Sequence, residues 1–125
     1  MAAVGLKDQL ELAVTRLADG RIETQPDGMF SLKWSARLLD PWTPDRIDLF
    51  ALFPAAYPAQ APSGFDAMGT PTVASKQPGG SGVRSVNGLQ CTHFCWNPSG
   101  QIDYTETEGA WRFAKFCELR FRELQ

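Results

Sequence analysis

The stretch that constrains this chain most runs from Arg46 to Pro62, Arg-Ile-Asp-Leu-Phe-Ala-Leu-Phe-Pro-Ala-Ala-Tyr-Pro-Ala-Gln-Ala-Pro. It opens as an alternating strand, with Ile47, Leu49, Ala51 and Phe53 on one face and Asp48 and Phe50 on the other. Pro54, Pro58 and Pro62 follow at intervals of four residues. Proline holds φ at about −65° and has no N–H to give a neighbouring strand, so the chain has to leave the sheet here. The expectation is a stiff, extended arm with Tyr57 as its large anchor.

The segments around this stretch suggest simple elements. From Gly5 to Asp19, Leu6, Leu10, Ala13, Val14 and Leu17 recur at helical spacing, with Lys7, Asp8, Glu11, Thr15 and Arg16 opposite. Asp19-Gly20 stops that helix. Arg21 to Gln25 reads as a short strand, Pro26-Asp27-Gly28 as a turn, and Met29 to Leu38 as a second alternating strand. Leu39 to Asp45 is a connection. Ser63 to Met68 reads as a weak, edge-like fourth strand. Residues 69–82 read as a loop with little to bury, and residues 83–101 as irregular. Thr105-Glu106-Thr107-Glu108 has the form of a capping box ahead of a last helix that runs to about Leu124. Its stripe is Trp111, Ala114, Cys117 or Glu118, Phe121 and Leu124, widened by Phe113. A helix, a meander of antiparallel strands and a closing helix make an α+β class.

Two motifs carry a resemblance. The first is the strand ending in Phe53-Pro54-x-x-Tyr57-Pro58-x-x-x-Pro62, and the second is Asn87-Gly88-Leu89-Gln90-Cys91 followed by Trp96-Asn97-Pro98. Their order and separation resemble the ubiquitin-conjugating-enzyme (UBC-like) superfamily, in particular its divergent bacterial members from ubiquitin-like modification operons. The resemblance implies one UBC-like domain over residues 1–125: an N-terminal helix, an antiparallel meander of about four strands, a proline arm, a long loop and a C-terminal helix. The activity it implies is acyl carriage. Cys91 would accept a ubiquitin-like protein from an activating enzyme as a thioester and pass it to an amine of a protein substrate. The family's initial helix helps recruit the activating enzyme, which points to the outer face around Lys7 and Glu11.

The chain departs from the family in one respect that bears on mechanism. The His-Pro-Asn triplet expected ahead of the cysteine is replaced by Ser81-Gly82-Val83. An oxyanion donor would then have to be Asn87, Asn97 or backbone N–H groups. The resemblance also extends to non-catalytic variants and RWD domains, so a domain that binds a ubiquitin-like protein or scaffolds partners is the alternative.

Other residues bear on the choice. His93 is the only histidine. If residues 91–95 are extended, Cys91, His93 and Cys95 share a face. His93 could then act as base for Cys91 or polarise Thr92. Thr92, and after it Ser85, are alternative acceptors that would form an oxyester, although a hydroxyl needs a base more than a thiol does. Asp103 is placed to orient an incoming lysine, as an acidic residue does in the family. Cys91-x-His93-x-Cys95 with Cys117 has poor zinc spacing, because alternate strand side chains run parallel rather than converging on one ion. No metal or cofactor is expected.

Composition excludes other classes. A formal charge of −2 gives no electrostatic footprint for nucleic acid, and no apolar run suits a membrane span. Three cysteines and no signal-peptide pattern at Met1-Ala2-Ala3-Val4-Gly5 suggest free thiols in the cytoplasm.

Overall fold

The computed structural model describes residues 5–25, 29–79, 81–86, 88–95 and 102–123. Its class is α+β. Helix α1 (Leu6–Arg16) precedes strands β1 (Arg21–Thr24), β2 (Phe30–Arg37), β3 (Trp42–Thr43), β4 (Arg46–Phe53), β5 (Gly64–Met68), β6 (Thr72–Val73), β7 (Ser81–Val86) and β8 (Leu89–Cys95). Helix α2 (Gly109–Glu123) closes the chain. Six strands form one antiparallel sheet in the order β1-β2-β4-β5-β8-β7, and β3 pairs with β6 in a separate two-stranded ribbon. Among the described residues, no helix is long and apolar enough to cross a membrane.

The alternation in β2 and β4 works as its residue pattern demands. Trp34, Leu49, Ala67 and Thr92 lie in one cross-strand row, and all four are buried. Helix α2 covers this face. Phe113 meets Phe53 edge-on at 6.0 Å between ring centroids, and Phe121 lies 5.2 Å from Phe94. The next row, Lys33, Phe50, Asp66 and His93, has the opposite facing. It belongs to the open side of the sheet, where the Lys33 ammonium sits 5.8 Å from the Phe50 ring.

Several expectations need correction. The sheet has six strands, not about four, because Ser81–Val86 and Leu89–Cys95 pair as the antiparallel strands β7 and β8 where irregular chain is expected. The stretch 64–68 is a central strand between β4 and β8, not an edge. The long loop contains β6, and its Pro71 and Pro78 are buried. The proline arm is not extended: Tyr57 N donates to Pro54 O at 3.0 Å and Ala59 N to Ala56 O at 2.9 Å, which folds it into successive turns. Tyr57 is its anchor nonetheless, buried edge-on against Phe53 and Tyr104.

The capping box does not form. The helix begins at Gly109, Thr105 bonds to Asp103, and Glu108 pairs with Arg16 and Arg112. The cap comes from α1 instead. Buried Gln9 accepts at Oε1 from Ala110 N (3.1 Å) and the Tyr57 hydroxyl (2.6 Å), while its Nε2 donates to Tyr104 O (2.7 Å). One amide thereby ties α1, the proline turns and α2 together.

Candidate functional site

The open side of the sheet gathers the polar groups that a site needs. Asp66 stands in the middle of β5, and its side chain is 4 % exposed. A carboxylate buried to that extent is costly unless it is paired. Here it is paired twice. Arg84 on β7 grips it with a fork, Nε to Oδ2 at 2.8 Å and Nη2 to Oδ1 at 2.5 Å. His93 Nδ1 lies 3.0 Å from Oδ1. The guanidinium-paired carboxylate is the acceptor, so Nδ1–H is the donor, and in the neutral ring Nε2 is left with the lone pair.

Sheet register produces this cluster, since Asp66 is directly opposite His93 and Arg84 directly opposite Cys91. Gly64 makes room for it. A Cβ at that position would fall 2.3 Å from the Phe94 carbonyl oxygen and 3.3 Å from His93 Nε2. Asp66, Arg84 and His93 form part of the wall of a cavity of about 310 Å³, which Leu52, Gln60 and Ser63 also line. The arrangement can accept a hydrogen bond or a proton at Nε2 from a group in that cavity.

The expected site residues fall as follows. Cys91 has 0 % exposure, and its thiol lies 3.9 Å from Met68 Sδ and 3.7 Å from Leu89 O. Burial, and after it the nearby Asp66 carboxylate, push the thiol up from its ordinary value. Arg84 and Lys33 pull the other way, but burial dominates, and a buried thiol held above its ordinary value is the reverse of an activated cysteine nucleophile. The thiol does line a cavity of about 90 Å³ together with Phe50, Met68 and Leu89.

His93 shares the face of Cys91, as the alternation implies, but its Nδ1 is engaged with Asp66. Thr92 is buried on the helix-covered side and donates its hydroxyl to Gly69 O at 2.9 Å, so its proton is already committed. Asp103 is exposed and accepts from the Thr105 amide (2.9 Å) and hydroxyl (2.5 Å), which hold its carboxyl below the usual range. Ser85 is exposed on β7, opposite Gln90. Asn87 and Trp96-Asn97-Pro98 lie outside the described residues.

Cys117 is fully buried on α2, and its thiol is pushed well up, first by burial and then by Glu118. Among the described residues no cluster of His, Cys, Asp and Glu could hold a metal ion.

Asp66 and Arg84 are the members of the site that sequence reasoning missed. The available signal was a charge between Phe65 and Ala67, which has to find a partner if the strand is central. Compared with known protein families, curated proteins and solved structures, the chain matches none.

Proposed function

We propose that this chain is a UBC-like domain of a ubiquitin-like modification system that binds a ubiquitin-like protein or brings its partners together, without itself carrying the acyl group. The observation behind this reading is the state of Cys91, which has 0 % exposure and a thiol shifted upward by burial. Acyl transfer needs a thiolate that an activated carboxyl terminus can reach in line. The replacement of the family's His-Pro-Asn triplet by Ser81-Gly82-Val83 supports the same reading. So does Thr92, whose hydroxyl is spent on Gly69 O.

One observation favours a second reading, thioester carriage through Cys91. Cys91 borders a crevice of about 90 Å³ that Met68 and Leu89 also line, with Met68 Sδ 3.9 Å from the thiol. In that case His93 is the nearby base, and the activating enzyme, the ubiquitin-like protein and a protein substrate are the partners.

The experiment is a charging assay. The protein is mixed with an adenylating enzyme, ATP and the ubiquitin-like protein, and run on gels with and without reductant. The expected result is no thiol-labile adduct, together with a measurable complex with the ubiquitin-like protein by calorimetry. An adduct that is cleaved by reductant and lost in Cys91→Ala overturns the proposal and establishes the second reading. An adduct that survives reductant but yields to hydroxylamine overturns it in favour of Thr92 or Ser85.

A further inference from the structure

Four large apolar side chains are well exposed among the described residues: Leu39, Val83, Leu89 and Leu119. Leu39 (55 %) and Leu119 (41 %) belong to the same cavity, a groove of about 370 Å³ between the end of β2, the ribbon and the last turns of α2. Leu38, Trp42 and Phe121 also line it, and all three are buried. That floor is fixed in place. Trp42 Nε1 donates to Phe121 O at 2.8 Å, and the two rings meet edge-on with centroids 4.9 Å apart. The groove therefore exists before anything binds, which lowers the ordering cost of an occupant.

The charge around it is one-sided. Arg37, Lys115 and Arg122 line the groove against one carboxylate, Glu118. That carboxylate accepts from Trp34 Nε1 (3.2 Å) and pairs with Lys115 Nζ (3.4 Å), which leaves Arg37 and Arg122 to carry the surplus positive charge of the rim. This cationic rim belongs to a chain whose formal charge is −2, so it is a local concentration and not an average property of the surface. A concave apolar floor with two projecting leucines and a basic rim suits an extended or helical segment with leucine-like anchors flanked by carboxylates. A flat bilayer surface would not reach the floor.

We propose that the groove between the ribbon and α2 is the docking site for an acidic, leucine-bearing segment of a partner protein. The inference deepens the scaffold reading above and rests on it by naming the surface and the chemistry of the partner.

The test is fluorescence anisotropy of the full chain with a fluorescein-labelled peptide in which paired leucines are flanked by aspartate and glutamate. Two control peptides replace the acids by lysine or the leucines by serine. Binding is expected to the first peptide only, weakening as salt rises. Leu39→Asp with Leu119→Asp, and separately Arg37→Glu with Arg122→Glu, should each reduce affinity tenfold or more. These positions are exposed, and circular dichroism checks that each variant keeps its fold.

Equal binding of the lysine peptide, no binding of the acidic peptide, or unchanged affinity in both variants overturns the proposal. So does stronger partition onto phosphatidylserine vesicles than onto the peptide. A Cys91 adduct in the charging assay with peptide docking intact would remove the non-catalytic reading alone.

Discussion

At the scale of single residues, the most consequential side chain is Asp66. Its two oxygens satisfy Arg84 and fix the His93 ring, so removing its charge acts on both. Taking one partner from a fully buried ion pair costs about 3–5 kcal/mol. The Arg84 side chain is 44 % exposed and can turn to water, which reduces the expected loss. Asp66→Asn should therefore destabilise the fold by about 1–3 kcal/mol, read as a lower urea midpoint at unchanged slope. A second readout separates the tautomer from general stability. Nitrogen chemical shifts of the single imidazole should show Nδ1–H in the parent, and a mixture with Nε2–H in the variant. An Nε2–H parent would contradict the geometry assigned to the cavity.

At the scale of elements, Gln9 is the joint. It is a polar side chain of an otherwise amphipathic helix, yet it has 0 % exposure because three partners converge on its amide. Gln9→Met keeps the length and apolar volume but strands the Ala110 amide, the Tyr57 hydroxyl and the Tyr104 carbonyl. Each unsatisfied group costs about 1–3 kcal/mol when no water reaches it. Some relaxation is expected, so the loss should come to about 2–4 kcal/mol, and Gln9→Met with Tyr57→Phe should be less than additive. The first turn of α2 should also exchange its amide hydrogens faster. Such a joint is not visible in sequence, since Gln9 and Ala110 are 101 residues apart. The elements legible in the sequence are both helices, β2 and β4, which have an uninterrupted period, and the short strand β1 ahead of its turn signal. In sequence β5 looks like an edge, since Gly64 and Asp66 interrupt its apolar run, whereas the register shows why each is there. The β7–β8 hairpin was missed for a different reason. Its exposed outer strand carries no alternation, and Asn87-Gly88, a strong hairpin signal, also fits the thioester motif. Gly88 has φ +80°, a conformation that favours glycine. The shared face of Cys91 and His93 was readable from period two, but Asp66 and Arg84 join them only through strand register.

At the scale of the whole molecule, folding raises the pKa of four weak acids in the same direction. Burial pushes Tyr104 up to about 12 and Tyr57 higher still, and it pushes the Cys91 and Cys117 thiols upward. The sign of the linkage follows. The unfolded chain gives up these protons near the ordinary values, about 8.5 for cysteine and about 10 for tyrosine, while the folded chain holds them to higher pH. Their contribution to stability is complete below about pH 8 and is lost as pH rises, first through the thiols and then more steeply above about pH 10. Urea midpoints measured from pH 7 to 11 should fall along that two-stage course, and a flat profile would contradict the burial of these groups. Tyr104 allows a sharper version. Its hydroxyl is buried and has no hydrogen-bond partner among the described residues, whereas that of Tyr57 is bonded to Gln9. Tyr104→Phe removes an unsatisfied polar atom and should raise stability at pH 7 by about 1 kcal/mol. It should also flatten the decline above pH 10, because one of the displaced phenols is gone. Tyr57→Phe should flatten the same limb while lowering stability at pH 7, since it breaks the bond to Gln9. Opposite signs at neutral pH with the same sign at alkaline pH is a pattern that a nonspecific loss of packing would not produce.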